Sequence, residues 1–188
     1  MPLHHAGTQI LKTKRLVLRP LSLDDAQAMY DNWASDPQVT RFLTWPPHTS
    51  PELTRQLLES WCAQYPKADY YNWAIRAQDR LIGNISVVEV DERSERVALG
   101  YCLSAACWNR GYMTEAAQAV VDFLFREVHV HRVEITHAVK NPGSGAVARK
   151  CGLTLEGVRR EYFKAANGEY LDIAAYAILR EAWEAKAQ

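Results

Sequence analysis

Hydrophobic residues at positions 15–21 alternate with polar ones, placing Leu16 and Leu18 on one face of a predicted strand that Pro20 keeps near a sheet edge. The period then changes. Ser22 precedes Asp25 in a capping-box spacing, and Ala26, Met29, Tyr30 and Trp33 recur at helical intervals until Asp36-Pro37. A second helix starts at Ser50-Pro51, carries Leu53, Leu57, Leu58 and Trp61, and stops before Pro66. Alternation returns at Tyr71, Trp73 and Ile75, turns at Gln78-Asp79, and resumes over 81–90. A strand over 96–104 is interrupted by Gly100, which marks a bulge or a close backbone approach. The strongest helix covers 114–127, with Ala117, Val120, Val121, Leu124 and Val128 on one face. A strand over 132–138 follows it. Asn141-Pro142 opens a short helix that Gly152 closes, and strands over 153–164 and 169–179 flank the hairpin pair Asn167-Gly168.

The strand, helix and strand from 96 to 138 form a crossover unit, so the two strands are expected to be parallel neighbours, with the other strands a meander. At 188 residues, without an internal repeat or linker, the chain is expected to be one domain over 1–188, with 1–10, including His4 and His5, a flexible end. No apolar run approaches the roughly 18 residues that cross a bilayer. Lysine plus arginine equals aspartate plus glutamate at 22 each, which disfavours a nucleic-acid partner held by bulk charge. The cysteines Cys62, Cys102, Cys107 and Cys151 show no C-x-x-C spacing, so neither zinc nor a redox dithiol is expected. His129, His131 and His137 lack a carboxylate cluster that would complete a metal site. No basic segment followed by an apolar one opens the chain, and a cytoplasmic protein is expected.

Candidate chemistry concentrates at Trp108-Asn109-Arg110-Gly111-Tyr112-Met113-Thr114, where a strand meets the best helix. The free amides of a first helical turn attract anions, and Gly111 permits close approach with Arg110 beside it. A single glycine is weak evidence, because a glycine before a helix is commonly only a turn. The wider pattern resembles the GNAT superfamily of acyl-CoA N-acyltransferases. Residues 108–113 are similar to its pyrophosphate loop. The run from Asn141 to Leu153, with Ser144, Val147, Lys150 and Gly152, resembles the branch that acetylates ribosomal-protein amino termini, the RimJ/RimL type. Leu155-Glu156-Gly157, Tyr162, Asp172 and the run from Leu179 to Trp183 continue the likeness.

The resemblance implies an α/β (α+β) GNAT fold: a mixed, strongly twisted sheet of about seven strands and about four helices, splayed between two central parallel strands. It implies acetyl-CoA as acyl donor with no metal. Its pantetheine would pair with backbone at Tyr101, Cys102 and Leu103, and its pyrophosphate would lie on Arg110, Gly111, Tyr112, Met113 and Thr114. Asn141 and Ser144 would face the cofactor. The reaction implied is direct attack of a primary amine on the thioester, most like acetylation of a protein amino terminus. A small amine such as an amino acid, polyamine or amino sugar is the alternative acceptor, and a homodimer is also allowed.

The tyrosine acid of many superfamily members falls on Ala148, and the glutamate before the splayed strand's glycine falls on Ala98. These departures keep open a CoA-binding protein with little catalysis. Ser144 is the substitute acid the branch implies, or only a helix-capping serine. Glu161 matches the branch's proposed glutamate base, or is a surface acid beside Arg159 and Arg160; a base relayed through water is the third option. Trp45 and Trp73 are candidates for the acceptor pocket, with core packing as the competing role.

Overall fold

The computed structural model describes residues 3–187. Eight strands form it: β1 (Leu11–Lys12), β2 (Leu16–Pro20), β3 (Asn72–Ala77), β4 (Arg80–Asp91), β5 (Arg96–Leu103), β6 (Arg132–Ala138), β7 (Thr154–Lys164) and β8 (Tyr170–Leu179). They join in one sheet, ordered β1-β2-β3-β4-β5-β6-β8-β7. Among the described residues, six α-helices accompany it: α1 (Ala26–Met29), α2 (Pro37–Thr40), α3 (Pro51–Cys62), α4 (Tyr112–Phe123), α5 (Pro142–Lys150) and α6 (Arg180–Ala187).

Strand alternation distributes side chains between two cores. Trp73, Ile75, Ile82, Val97 and Leu99 pack with Ala116, Ala117, Val120 and Val121 of α4. On the opposite face, Ala74 and Leu81 pack with Met29, Trp33 and Leu58 of the α1 and α3 layer. Ser50 accepts a hydrogen bond from the Leu53 amide at 3.4 Å and fixes the start of α3. Both α1 and α4 run on into five-residue π-helical turns, at Tyr30–Ala34 and Leu124–Val128. The second ends at His129 in the left-handed region.

The expected parallel pair is β5 with β6, in register from Arg96↔Arg132 to Leu99↔Ile135; every other pairing is antiparallel. The last hairpin departs from a meander, because β8 lies between β6 and β7. The eighth strand, β1, and the helices α2 and α6 were not read from the pattern: β1 and α2, with two and four residues, are too short to show a period, and the eight residues of α6 are mostly charged or alanine. Residues 3–10 are anchored, contrary to the expectation of a flexible end: Leu3 is buried in the α4 core, the His4 amide donates to the Val128 carbonyl at 2.9 Å, and His5 Nδ1 lies 2.9 Å from the Tyr71 hydroxyl. Residues 1 and 2 lie outside the described residues.

Candidate active site

Beyond Leu99 and Ile135 the pairing of β5 with β6 stops, although β5 continues to Leu103 and β6 to Ala138. The gap opens into a cleft of about 730 Å³ lined by both strand ends, the start of α4, the length of α5 and residues 38–43. Gly100 stands at the fork. The irregularity its position announces lies on the neighbouring strand, where Val88 is the extra residue of β4. A Cβ at Gly100 would come within 2.7 Å of the Val88 Cγ1, so a side chain there would have to displace Val88. Tyr101, Cys102 and Leu103 all line the cleft, and the Leu103 carbonyl already accepts a hydrogen bond from the Trp108 indole at 2.8 Å.

At one end of the cleft Gly111 caps α4 with φ of 78°, a left-handed backbone that a β-branched residue strongly disfavours. The following amides, at Tyr112, Met113 and Thr114, carry the positive end of a twelve-residue helix into the cleft. A clamp absent from the sequence reading holds this turn. Arg15 donates to the Arg110 carbonyl at 3.0 Å and to Glu115 Oε2 at 2.6 Å, with its guanidinium 4.6 Å from the Tyr112 ring centre. Glu115 also accepts from the Thr13 hydroxyl at 2.6 Å; these bonds hold its carboxyl below the usual range against the opposing effect of burial. Arg110 itself is exposed and lies outside the cleft lining, correcting its expected place on the phosphates. What the turn offers an anion is backbone.

Asn141 caps α5, its side-chain oxygen accepting from the Ser144 amide at 3.3 Å. The Ser144 hydroxyl is then free to face β5, where its oxygen lies 2.8 Å from the Tyr101 hydroxyl. Tyr101 is also 3.3 Å from the Ser144 carbonyl. Burial raises the phenol well above the ordinary tyrosine value, so it stays protonated. A tyrosine hydroxyl therefore reaches this helix from the strand, while the residue at the expected α5 position, Ala148, is fully buried in the core. Burial also pushes the Cys102 thiol up to about 12, which keeps it from acting as a thiolate nucleophile at neutral pH.

Three expected site residues are placed elsewhere. Trp73 is completely buried, stacked on Tyr71 and edge-on to Phe123, with its indole donating to the Gln9 carbonyl at 2.6 Å. Trp45 is half-buried against the α1 and α3 core, its ring 5.0 Å from His48, outside the cleft lining. Glu161 is exposed in the β7 bulge with φ of 48°, its amide bonded to Asp172 at 2.8 Å, and does not line the cleft. In place of the tryptophans, the face beside α1 presents Gln38, Val39, Arg41, Phe42 and Leu43. Phe42 packs against the small cluster of Ala138, Ala165, Leu171 and Ile173.

His137 lines the cleft wall, but its Nδ1 lies 2.7 Å from the Ala138 carbonyl, and its Nε2 is buried against Gly145 without a hydrogen-bond partner. Among the described residues that line the cleft, no side chain is a carboxylate; the charged ones are Arg41, Lys140 and Lys150. Also among the described residues, no group of three or more His, Cys, Asp or Glu side chains is placed to hold a metal, and no helix is long and apolar enough to cross a membrane.

Residues 15–154 match the model of the GNAT acetyltransferase domain. The probable N-acetyltransferase YjcK of Bacillus subtilis is 31% identical over 179 residues, 90% of this chain and 97% of that protein. The uncharacterized N-acetyltransferase p20 of Bacillus licheniformis is 27% identical over 174 residues, 92% and 97% respectively. RimL, a ribosomal L7/L12 α-N-protein acetyltransferase solved with coenzyme A, superposes with a TM-score of 0.84 at 25% identity, covering 93% of this chain and 99% of that one.

Proposed function

The chain belongs to the GNAT acetyltransferase family, and from that premise we propose that it transfers the acetyl group of acetyl-CoA to the α-amine at the amino terminus of a protein or peptide. The supporting observation is the absence of a carboxylate among the described cleft-lining residues. An α-amine has a pKa of about 7.8, so roughly a third is neutral at pH 7.5, whereas an alkylamine near 10.4 is neutral in about one molecule per thousand. A site without an acidic base serves the first far better. The similarity to RimL, named as an α-N-protein acetyltransferase, agrees with this acceptor.

In the mechanism, the pyrophosphate of acetyl-CoA rests on the amides from Gly111 to Thr114, and pantetheine runs along β5 past Gly100 to Leu103. The amine, having lost its proton to water, attacks the thioester carbonyl, and the nitrogen, cationic once the carbon–nitrogen bond has formed, releases a second proton to water. As the tetrahedral intermediate collapses, the carbon–sulfur bond breaks and the Ser144 hydroxyl gives its proton to the departing sulfur. Ser144 recovers a proton through Tyr101, whose hydroxyl is 2.8 Å away, and Tyr101 is restored from solvent. Asn141 fixes the helix turn that aims Ser144.

The test compares thiol release from acetyl-CoA with a serine-initiated peptide, the same peptide blocked at its amino terminus with one lysine inside, and spermidine. The open α-amine is expected to be the preferred acceptor, with kcat/KM rising to a plateau as pH passes about 8. Preference for the lysine or the polyamine overturns the assignment.

A further inference from the structure

The side of the cleft formed by the segment after α2 and the turn leading into α5 has a charge that narrows the acceptor further, on the α-amine reading above. Arg41 and Lys140 both line it. They come from distant parts of the chain, the segment after α2 and the turn after β6, and the packing of Phe42 against the cluster that includes Ala138 brings those parts together. Arg41 also sits with its guanidinium 5.1 Å from the Phe42 ring centre. Lys140 pairs with Glu169, which lies in the turn between β7 and β8 and does not line the cleft; both Lys140 and Arg41 hold its carboxyl below the usual range. The third cleft cation, Lys150, is the last residue of α5, about 13.5 Å along the helix from the Asn141 cap. This side of the cleft, taken as the acceptor mouth, thus carries two cations, with one carboxylate beside them that does not line it.

Such a mouth favours the neutral, reactive form of an incoming amine, because a nearby positive charge disfavours the ammonium. It also repels the ammonium that must first arrive. An acceptor resolves this conflict by carrying its own negative group beside the amine. We infer that the preferred acceptor bears a carboxylate within its first two or three residues, held by Arg41 and Lys140 while the α-amine enters the splay. The same chemistry has two sources, an acidic side chain following the amino terminus or the α-carboxylate of a free amino acid. The open cleft and exposed Arg41 favour the peptide.

The test uses the full chain with saturating acetyl-CoA and carboxy-amidated hexapeptides that begin with serine followed by two aspartates, two asparagines or two lysines, with free serine as a fourth acceptor. At low ionic strength kcat/KM is expected to be at least tenfold higher for the acidic than for the basic peptide, with the gap closing as salt is raised. The double variant Arg41→Glu with Lys140→Glu should reverse the order. The ratio of acceptors within one preparation does not depend on how much of it has folded. A free-serine rate above all peptides sustains the charge assignment with the α-carboxylate as its source. Equal rates for the three peptides, or an order unchanged in the double variant, overturn this inference and leave the α-amine reading standing. Turnover of none of the four overturns both.

Discussion

Ser144 and Tyr101 occupy the point where cleft and helix meet, and their separation of 2.8 Å makes two substitutions informative together. Ser144→Ala should lower kcat by about a hundredfold or more while leaving KM for acetyl-CoA nearly unchanged, since the lost interaction exists only as the thiolate departs. Tyr101→Phe keeps the ring and removes the relay, so a smaller loss in kcat is expected, with Ser144 still aimed by its cap. Equal falls in kcat and in acetyl-CoA affinity for both variants would make the pair a binding feature. The reach of Tyr101 was not legible in the sequence, because strand alternation assigns a side chain to a face without saying which helix residue lies opposite. Trp73 shows the same limit from the other side: its alternation was correct, and the face it occupies proved to be the α4 core. Asp25 gives a prediction independent of catalysis. Its carboxyl is buried, which opposes ionisation, yet the bonds from Arg19 at 2.6 and 2.8 Å and from the Ser22 amide hold it below the ordinary value. The stability this pair contributes is complete above the unfolded pKa near 3.9 and is lost as pH falls through the lower folded value. Denaturant midpoints of the native chain and Asp25→Asn, compared at pH 7 and pH 3, should therefore converge on acidification.

Among the elements, α4 and α5 were the most readable, α4 through its apolar stripe, although it starts at Tyr112 and not at the expected 114, and α5 through its cap, proline and closing glycine. Gly111 before α4 and Asn141-Pro142 before α5 fall where the helices begin. At Gly111, valine must adopt φ near 78° and so costs on the order of 1–3 kcal/mol of strain, or the turn shifts. Either outcome disturbs the amides offered to the pyrophosphate. Calorimetry of Gly111→Val should show acetyl-CoA affinity reduced by at least tenfold, and unchanged affinity in a folded variant would remove the phosphate from this turn. Asn141→Ala should cost about 1 kcal/mol through the lost cap and lower kcat through the freed Ser144, where a purely structural residue would change only the melting temperature. Short elements were not legible for the opposite reason: α2 has four residues, fewer than are needed to display a period, and yet it leads into the segment that carries Arg41 and Phe42. Of the residues the likeness to a known family singled out, Tyr101, Cys102, Leu103, Asn141 and Ser144 line the cleft and Trp45 does not, whereas the segment after α2, which no signal marked, does.

At the scale of the whole molecule, the crossover from β5 through α4 to β6 was evident from the order of periods, whereas the placement of β8 between β6 and β7 depends on long-range pairing that no local pattern encodes. That arrangement divides the sheet into a five-strand portion and a three-strand portion, bridged in the sheet by the four paired positions from Arg96↔Arg132 to Leu99↔Ile135. The α4 core reinforces the join on one face, while the strand ends beyond it stand apart around the cleft. A ligand lying in the splay touches both portions and binds only when they are correctly opposed, so its binding energy adds to the cohesion of the fold. Acetyl-CoA at a hundred times its dissociation constant stabilises by about 2.7 kcal/mol, which for a chain of this size raises the melting temperature by roughly 5–11 °C. Hydrogen exchange should locate the effect: amides of Gly100–Leu103 and Thr136–Ala138 should gain protection on binding, and those of β2 and β3 should change little. Protection confined to α4, with no change at either strand end, would mean that the coenzyme grips the helix terminus without entering the splay, and the path drawn for pantetheine along β5 would fail with it.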